Sequence, residues 1–120
     1  MAKALELIAL EGFPLVQPGQ PLTPLICRTL ADNGLTLQSG DVLVLAQKIV
    51  SKSENRFARL SETTASPEAE QLAQQCDKDP RMVQLVLNES SQVIRAIRGV
   101  LIVRHRLGHV MANAGLDQSN

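Results

Sequence analysis

The sequence predicts an α+β fold, a mixed sheet with packed helices and a helical hairpin. Three observations predict it. Asp41–Val50 (DVLVLAQKIV) is apolar, β-branched and too continuous for a strand with one wet face. Ser66-Pro67 and Asp79-Pro80 each pair a capping residue with a proline at a first helical position, and each precedes a helical stretch. Gln92–Ile97 and Val100–Arg106 flank Arg98-Gly99 as the arms of a β-hairpin flank its turn.

Along the chain, Ala4–Leu10 (ALELIAL) reads as a strand or strand-like start that Gly12 and Pro14 cut off. Pro14, Pro18, Gly19 and Pro21 make a stiff, extended loop. Its glycines let the backbone approach a ligand or another strand closely. Over Thr23–Asn33, Leu22, Leu25, Ile26, Thr29 and Leu30 recur at helical spacing, and Gly34 follows where a left-handed residue ends a helix. Ser39-Gly40-Asp41 is a turn leading into the central strand. Gln47 and Lys48 interrupt that apolar run. A buried lysine is costly unless paired, so Lys48 is expected to point out of the core. Lys52, between Ser51 and Ser53, stands where an ammonium can meet a phosphate at a strand end; a solvated strand end explains it more cheaply.

Asn55–Leu60 reads as a short continuation or second strand, followed by a polar run. Ser66 then caps a helix that carries Glu68 and Glu70 in its first turn and runs to about Cys76. Asp79-Pro80 opens a second helix through about Glu89, with Met82, Val83, Val86 and Leu87 buried. Asp77-Lys78 joins the two. After the hairpin, Leu107-Gly108 allows another turn before His109–Ala112. Arg95, Arg98, Arg104 and Arg106 read as a phosphate-facing set or, more cheaply, as a solvated sheet edge. His105 and His109 have the spacing of zinc ligands on a helix, but the β-branched run before them and Gly108 between them argue against a helix.

Bulk properties narrow the function. The chain has 120 residues, one domain's worth, with 44% hydrophobic residues and 12 basic against 12 acidic side chains. The balanced charge gives no pull toward nucleic acid or membrane. Phe13 and Phe57 are the sole aromatics, so the core must be aliphatic and there are no stacking platforms for single strands. Cys27 and Cys76 form no close pair, no signal-like start is present, and no apolar run approaches membrane-spanning length. The expectation is a soluble, cytoplasmic protein. No GxxxxGK[ST] phosphate loop, no GxGxxG and no GxSxG motif occurs.

The last stretch, Gly108–Asn120 (GHVMANAGLDQSN), concentrates small and polar groups after the apolar run Val100–Val103. A carboxylate, Asp117, flanked by amides and a hydroxyl on a small-residue loop suits a hard cation or a phosphate. On local chemistry alone, a turn preparing a helix, with Asp117 or Asn120 as its cap, is the simpler reading.

Two stretches together go further. GDVLVLAQKIVSK (Gly40–Lys52) and HRLGHVMANAGLDQSN (His105–Asn120) resemble the coenzyme F-420-0:L-glutamate ligases, the γ-glutamyl ligases of deazaflavin coenzyme biosynthesis. SPEAEQLAQQCDKDPRMVQLVLNES between them looks like the family's linking helices, and GFPLVQPGQPL like its start. The resemblance implies a GTP-dependent enzyme that uses a divalent metal, Mg or Mn, and admits a monovalent cation. It implies phosphorylation of the carboxylate of coenzyme F-420-0 and attack by the amine of L-glutamate on the acyl phosphate, in a cytoplasmic homodimer. Position by position, Asp117 matches a metal-binding aspartate and Asn120 a nucleotide contact. Gln47, Lys48 and Lys52 match nucleotide-binding positions, as do Gly12, Phe13, Pro14 and Leu15 of the N-terminal loop.

By the same resemblance, residues from about 1 to 90 form part of a nucleotide-binding lobe, and those from about 91 to 120 start a second β lobe. Asn55 stands where the family has a glycine in an EGR-like turn, and His109 replaces an apolar residue. Family members run on past the equivalent of Asn120, carrying further acidic ligands and a glycine-rich loop. Alone, the 120 residues are expected to be inactive. The rival readings are a non-catalytic nucleotide- or partner-binding module on this scaffold, and a GTP-dependent amide ligase for another acid.

Overall fold

The structure, a computed structural model, describes residues 3–118. By compactness the chain divides into two units, Met1–Phe57 and Ala58–Asn120. The α+β class holds: among the described residues, four α-helices accompany a three-stranded sheet. That sheet is antiparallel throughout, where a mixed sheet was expected.

The first unit holds helices α1 (Leu22–Asp32) and α2 (Gln47–Ser53). α1 forms where the spacing predicted it, and Gly34 takes the left-handed φ of 67° that ends it. Thr29, on its buried face, donates its hydroxyl to Leu25 O at 2.8 Å, which removes the cost of burying that group. The Ser39-Gly40 turn also forms, closed by Gln38 N–H donating to the Asp41 carboxylate at 2.7 Å.

The two strands expected in this unit do not form. Residues 4–10 have no regular structure, and Leu5, Leu7 and Ile8 are exposed. Of the central strand, residues 41–46 belong to no sheet, and the chain turns helical at Gln47. Exposure along Val42, Leu43, Val44 and Leu45 alternates as 83, 40, 85 and 40%. That period of two is the signature of a pleat. A strand, however, needs a second backbone to satisfy its amides and carbonyls, and no described residue supplies one. In the helix that starts at Gln47, backbone bonds close within the segment itself, as Glu54 N–H does on Val50 O at 2.9 Å. The Gln47-Lys48 interruption therefore marks where an extended segment gives way to helix. The expected strand at Asn55–Leu60 is also absent; a 3₁₀ turn at Leu60–Glu62 ends that stretch. Asn55 adopts a φ of 55°, so the position where the resemblance implied glycine does need a left-handed backbone. Asparagine is among the few other residues that tolerate it.

The second unit follows the sequence closely. Helix α3 (Pro67–Cys76) starts at Ser66, whose hydroxyl accepts from Ala69 N–H at 3.2 Å. Asp77 ends it in the left-handed conformation. Helix α4 (Pro80–Asn88) starts at Asp79, which accepts from Arg81 N–H at 2.8 Å. Strands β1 (Ser90–Ile97) and β2 (Val100–His105) pair antiparallel around Arg98-Gly99, and β3 (Val110–Ala112) pairs with β2. The core unites Ala69, Ala73 and Cys76 of α3, Val83 and Val86 of α4, and Leu101 and Val103 of β2. The alanines let helix and sheet come close. Gly99 N–H donates to Cys76 O at 2.8 Å, tying the hairpin turn to the end of α3. Two of the arginines join that framework: Arg98 pairs with Asp77 at 3.3 Å and Arg106 with Glu89 at 3.0 Å. Both pairs join the sheet to the helix ends, as the reading of a solvated sheet edge allows.

Asp79 also grips the Arg81 guanidinium, at 3.0 Å through Nε and 2.6 Å through Nη2. That side-chain bond first, and the Arg81 backbone N–H second, hold the Asp79 carboxyl at about 2, below its ordinary 3.8. A carboxyl depressed by folding stabilises the fold above its unfolded value and loses that contribution as the pH falls through its folded value. Stability of this unit is therefore expected to drop progressively from about pH 3.8 toward 2. Asp79→Asn keeps a capping side chain but removes the charge. In pH-dependent thermal melts, its curve should be flatter through that window and lie below the wild type at neutral pH. Parallel curves would show that the pair does not form.

Candidate functional site

The candidate residues of the first unit lie on one loop and one short helix. The loop runs from Glu11 to Gly19 and is fastened at both ends. At its start, Glu11 N–H donates to Asn33 Oδ1 at 3.1 Å, and Asn33 Nδ2 donates back to Glu11 O at 3.0 Å. At its end, Gly19 N–H donates to Lys52 O at 2.9 Å. Between them Gly12 takes a φ of 72°, and an added Cβ there would meet no atom within 4 Å. Glycine is needed at this position for its backbone, not for lack of room. Phe13 is half-buried and Val16 is buried, while Pro14 and Leu15 are exposed. The loop thus has an inward anchor and an outward face.

On α2, Lys48 and Lys52 are one helical turn apart and therefore share a face. Lys48 is exposed, as expected, and Lys52 is half-buried. Gln47 is the exposed first residue of the helix. The helix groups the two ammoniums as close neighbours, and the Gly19–Lys52 bond joins their backbone to the N-terminal loop. All seven candidates from positions 12–15, 47, 48 and 52 therefore belong to one hydrogen-bonded piece.

In the second unit, Asp117 follows a short left-handed segment. Asn113, Ala114 and Gly115 have φ of 52, 52 and 75° in succession, a conformation costly for residues with a Cβ. The segment is held because Ala114 and Leu116 pack on the core, with Leu116 N–H donating to Asn113 O at 3.0 Å. Asp117, one residue past this anchor, is exposed. Sequence chemistry could single out Asp117, but not the backbone strain that precedes it. Asn113 Oδ1 is buried and has no hydrogen-bond partner among the described residues. Asn120, the remaining nucleotide-binding candidate, lies outside the described residues.

His105 and His109 sit on either side of the β2–β3 turn, with His105 N–H donating to His109 O at 2.7 Å. His105 Nε2 faces Glu89 at 3.3 Å, and its Nδ1 accepts from Leu107 N–H at 3.0 Å. Both ring nitrogens are engaged within the fold. Among the described residues no three His, Cys, Asp or Glu side chains gather as donors for a cation. A hard divalent ion takes about six oxygen ligands, and Asp117 supplies one carboxylate. The described residues do not make a metal site by themselves. No helix among them is long and apolar enough to cross a membrane. Burial pushes the Cys76 thiol up, and its Sγ donates to Val100 O at 3.6 Å, which makes it a packing residue and not a nucleophile.

Comparison with known proteins bears on the whole of this chain. The family model for F420-0:Gamma-glutamyl ligase matches residues 12–120. A coenzyme F420:L-glutamate ligase of Methanothermobacter thermautotrophicus is 42% identical over 116 residues, covering 97% of this chain and 46% of the relative. Ligases of the same name from Methanopyrus kandleri and Halorubrum lacusprofundi are 39% and 38% identical, covering 94% and 97% of this chain and 44% and 46% of their own length. The chain thus spans less than half the length of these curated relatives.

Proposed function

Because the chain belongs to the F420-0:gamma-glutamyl ligase family, we propose that it forms part of an enzyme joining L-glutamate to coenzyme F420-0 in coenzyme F420 biosynthesis. The proposed reaction is a GTP-dependent acid–amino-acid ligation with Mg or Mn as divalent metal. A carboxylate oxygen of F420-0 attacks the γ-phosphorus of GTP, and GDP leaves. The amine of L-glutamate then attacks the acyl carbon, phosphate leaves, and the amine proton passes to solvent as the amide forms.

The residues of this chain have roles in binding and charge compensation. The Lys48 and Lys52 ammoniums offset charge on the phosphates, where phosphoryl transfer has most to gain. Gln47 and the loop residues Gly12, Phe13, Pro14 and Leu15 line the nucleotide. Asp117 contributes one metal ligand and Asn120 a nucleotide contact; the rest of the metal's donor set comes from outside the described residues. The enzyme acts in the cytoplasm as a homodimer, and the exposed Leu5, Leu7, Val42 and Val44 offer apolar surface for association.

The observation that carries this reading is the bond from Gly19 N–H to Lys52 O, which fastens the candidate loop to the helix bearing both candidate lysines. Calorimetric titration with GTP and Mg tests it. Binding should need the metal, and Lys52→Ala and Asp117→Ala should each weaken it by about tenfold or more, as loss of a charge-assisted contact does. Affinity unchanged by either substitution would instead point to a binding module of another kind.

A further inference from the structure

We infer that Asn33 is a positioning residue for the nucleotide: it sets the backbone from which the Gly12–Leu15 loop departs, through a two-point clasp on Glu11. The inference rests on the proposed reading of that loop as a nucleotide contact.

The geometry is specific. The carboxamide of Asn33 accepts from Glu11 N–H and donates to Glu11 O, at 3.1 and 3.0 Å, so it meets this one peptide residue as a neighbouring strand would. Its Nδ2 also donates to Thr29 O at 2.8 Å, which orients the amide against the last turn of α1. The Asn33 backbone N–H donates to the same carbonyl at 3.0 Å, so the residue is set firmly at the helix end. Gly12, the next residue after the clasped one, has a φ of 72°. A small rotation at Glu11 would swing everything beyond it, because the left-handed bend acts as a lever. With Gly19 bonded to Lys52 O, the loop is held at both ends. Breaking the Asn33 clasp frees one end only. The loop would then keep its composition and lose its aim, and a contact misplaced by about an ångström is costly to a preorganised site.

Asn33→Ala isolates the side chain, because its φ of −89° and ψ of 4° suit alanine as well as asparagine. Two readouts on the full chain test the inference. Amide hydrogen exchange should quicken over Glu11–Val16 and stay unchanged over α3, α4 and β2, where a general loss of stability would quicken all of them. GTP binding in the presence of Mg should weaken by about fivefold to tenfold, the yield of one or two exposed hydrogen bonds of ordinary net strength. Unchanged exchange at Glu11 overturns the clasp. Quickened exchange with unchanged GTP affinity, while Lys52→Ala still loses affinity, overturns the positioning role and leaves the nucleotide reading standing. No GTP binding by the wild type overturns both.

Discussion

Leu101→Ala should lower the stability of the second unit by about 3 kcal/mol, the usual cost of emptying a leucine-sized space that cannot collapse. Leu101 is 1% exposed, and it sits on β2, the strand flanked by both others. The core it joins contains few large side chains: two alanines, a cysteine and three valines complete the buried cluster. The fully buried neighbours are short and cannot reach into the hole; only the partly exposed Leu72, Leu87 and Leu116 at the rim of the cluster could lean toward it. The midpoint of thermal unfolding should fall by more than about 10 °C, given the few degrees that each kcal/mol is worth in a unit of this size. Val44→Ala offers a control of the opposite kind. Val44 is exposed in the first unit, so its loss should stay within about 0.5 kcal/mol. Equal effects from the two substitutions would show that the buried cluster is not the unit's core.

Gly115→Val should cost about 2 kcal/mol and displace Asp117. A β-branched residue at a φ of 75° is a steric outlier, and the two preceding residues already carry left-handed strain. Ala114 and Leu116 hold the segment by packing on the core, so the backbone cannot relax without giving up one anchor. Either the strain is retained as lost stability, or the loop rearranges and Asp117 moves. Urea unfolding reads the first outcome. Metal-dependent GTP affinity reads the second, and should fall with Gly115→Val as is expected for Asp117→Ala. Gly115→Ala should show roughly half the stability loss, because its Cβ is unbranched. A valine variant as stable as the wild type would mean that this segment is not left-handed.

These two positions differ in how far they could be read beforehand. The second unit announces itself residue by residue. Ser66 and Asp79 cap their helices as the proline pairs indicated, and Arg98-Gly99 turns the hairpin. Each signal is satisfied within four residues of itself, so local chemistry suffices to read it. Asn55 belongs with them: a glycine-like position occupied by asparagine was visible from the resemblance, and its left-handed φ supplies the reason. The strain at Asn113–Gly115 was not visible, because a small-residue loop is compatible with many turns. What selects this one is the burial of Ala114 and Leu116.

The first unit shows the opposite balance. DVLVLAQKIV has every mark of a strand, yet its first half pairs with no described residue and its second half is helix. The candidate lysines consequently share a helical face instead of lying on and beyond a strand. The Asn33 clasp reaches 22 residues back to Glu11, and nothing about an asparagine before Gly34 predicts that reach.

By itself the sequence determined the capped helices, the hairpin, the left-handed positions at Gly34 and Asn55, the aliphatic core and the family, because those depend on neighbours in the chain or on residue identity in order. Tertiary structure alone decided whether Asp41–Val50 is strand or helix, which loop Asn33 holds, and how the backbone bends before Asp117. Each of those turns on hydrogen-bond partners or packing surfaces far away in sequence, and a backbone group takes whichever partner the fold brings to it.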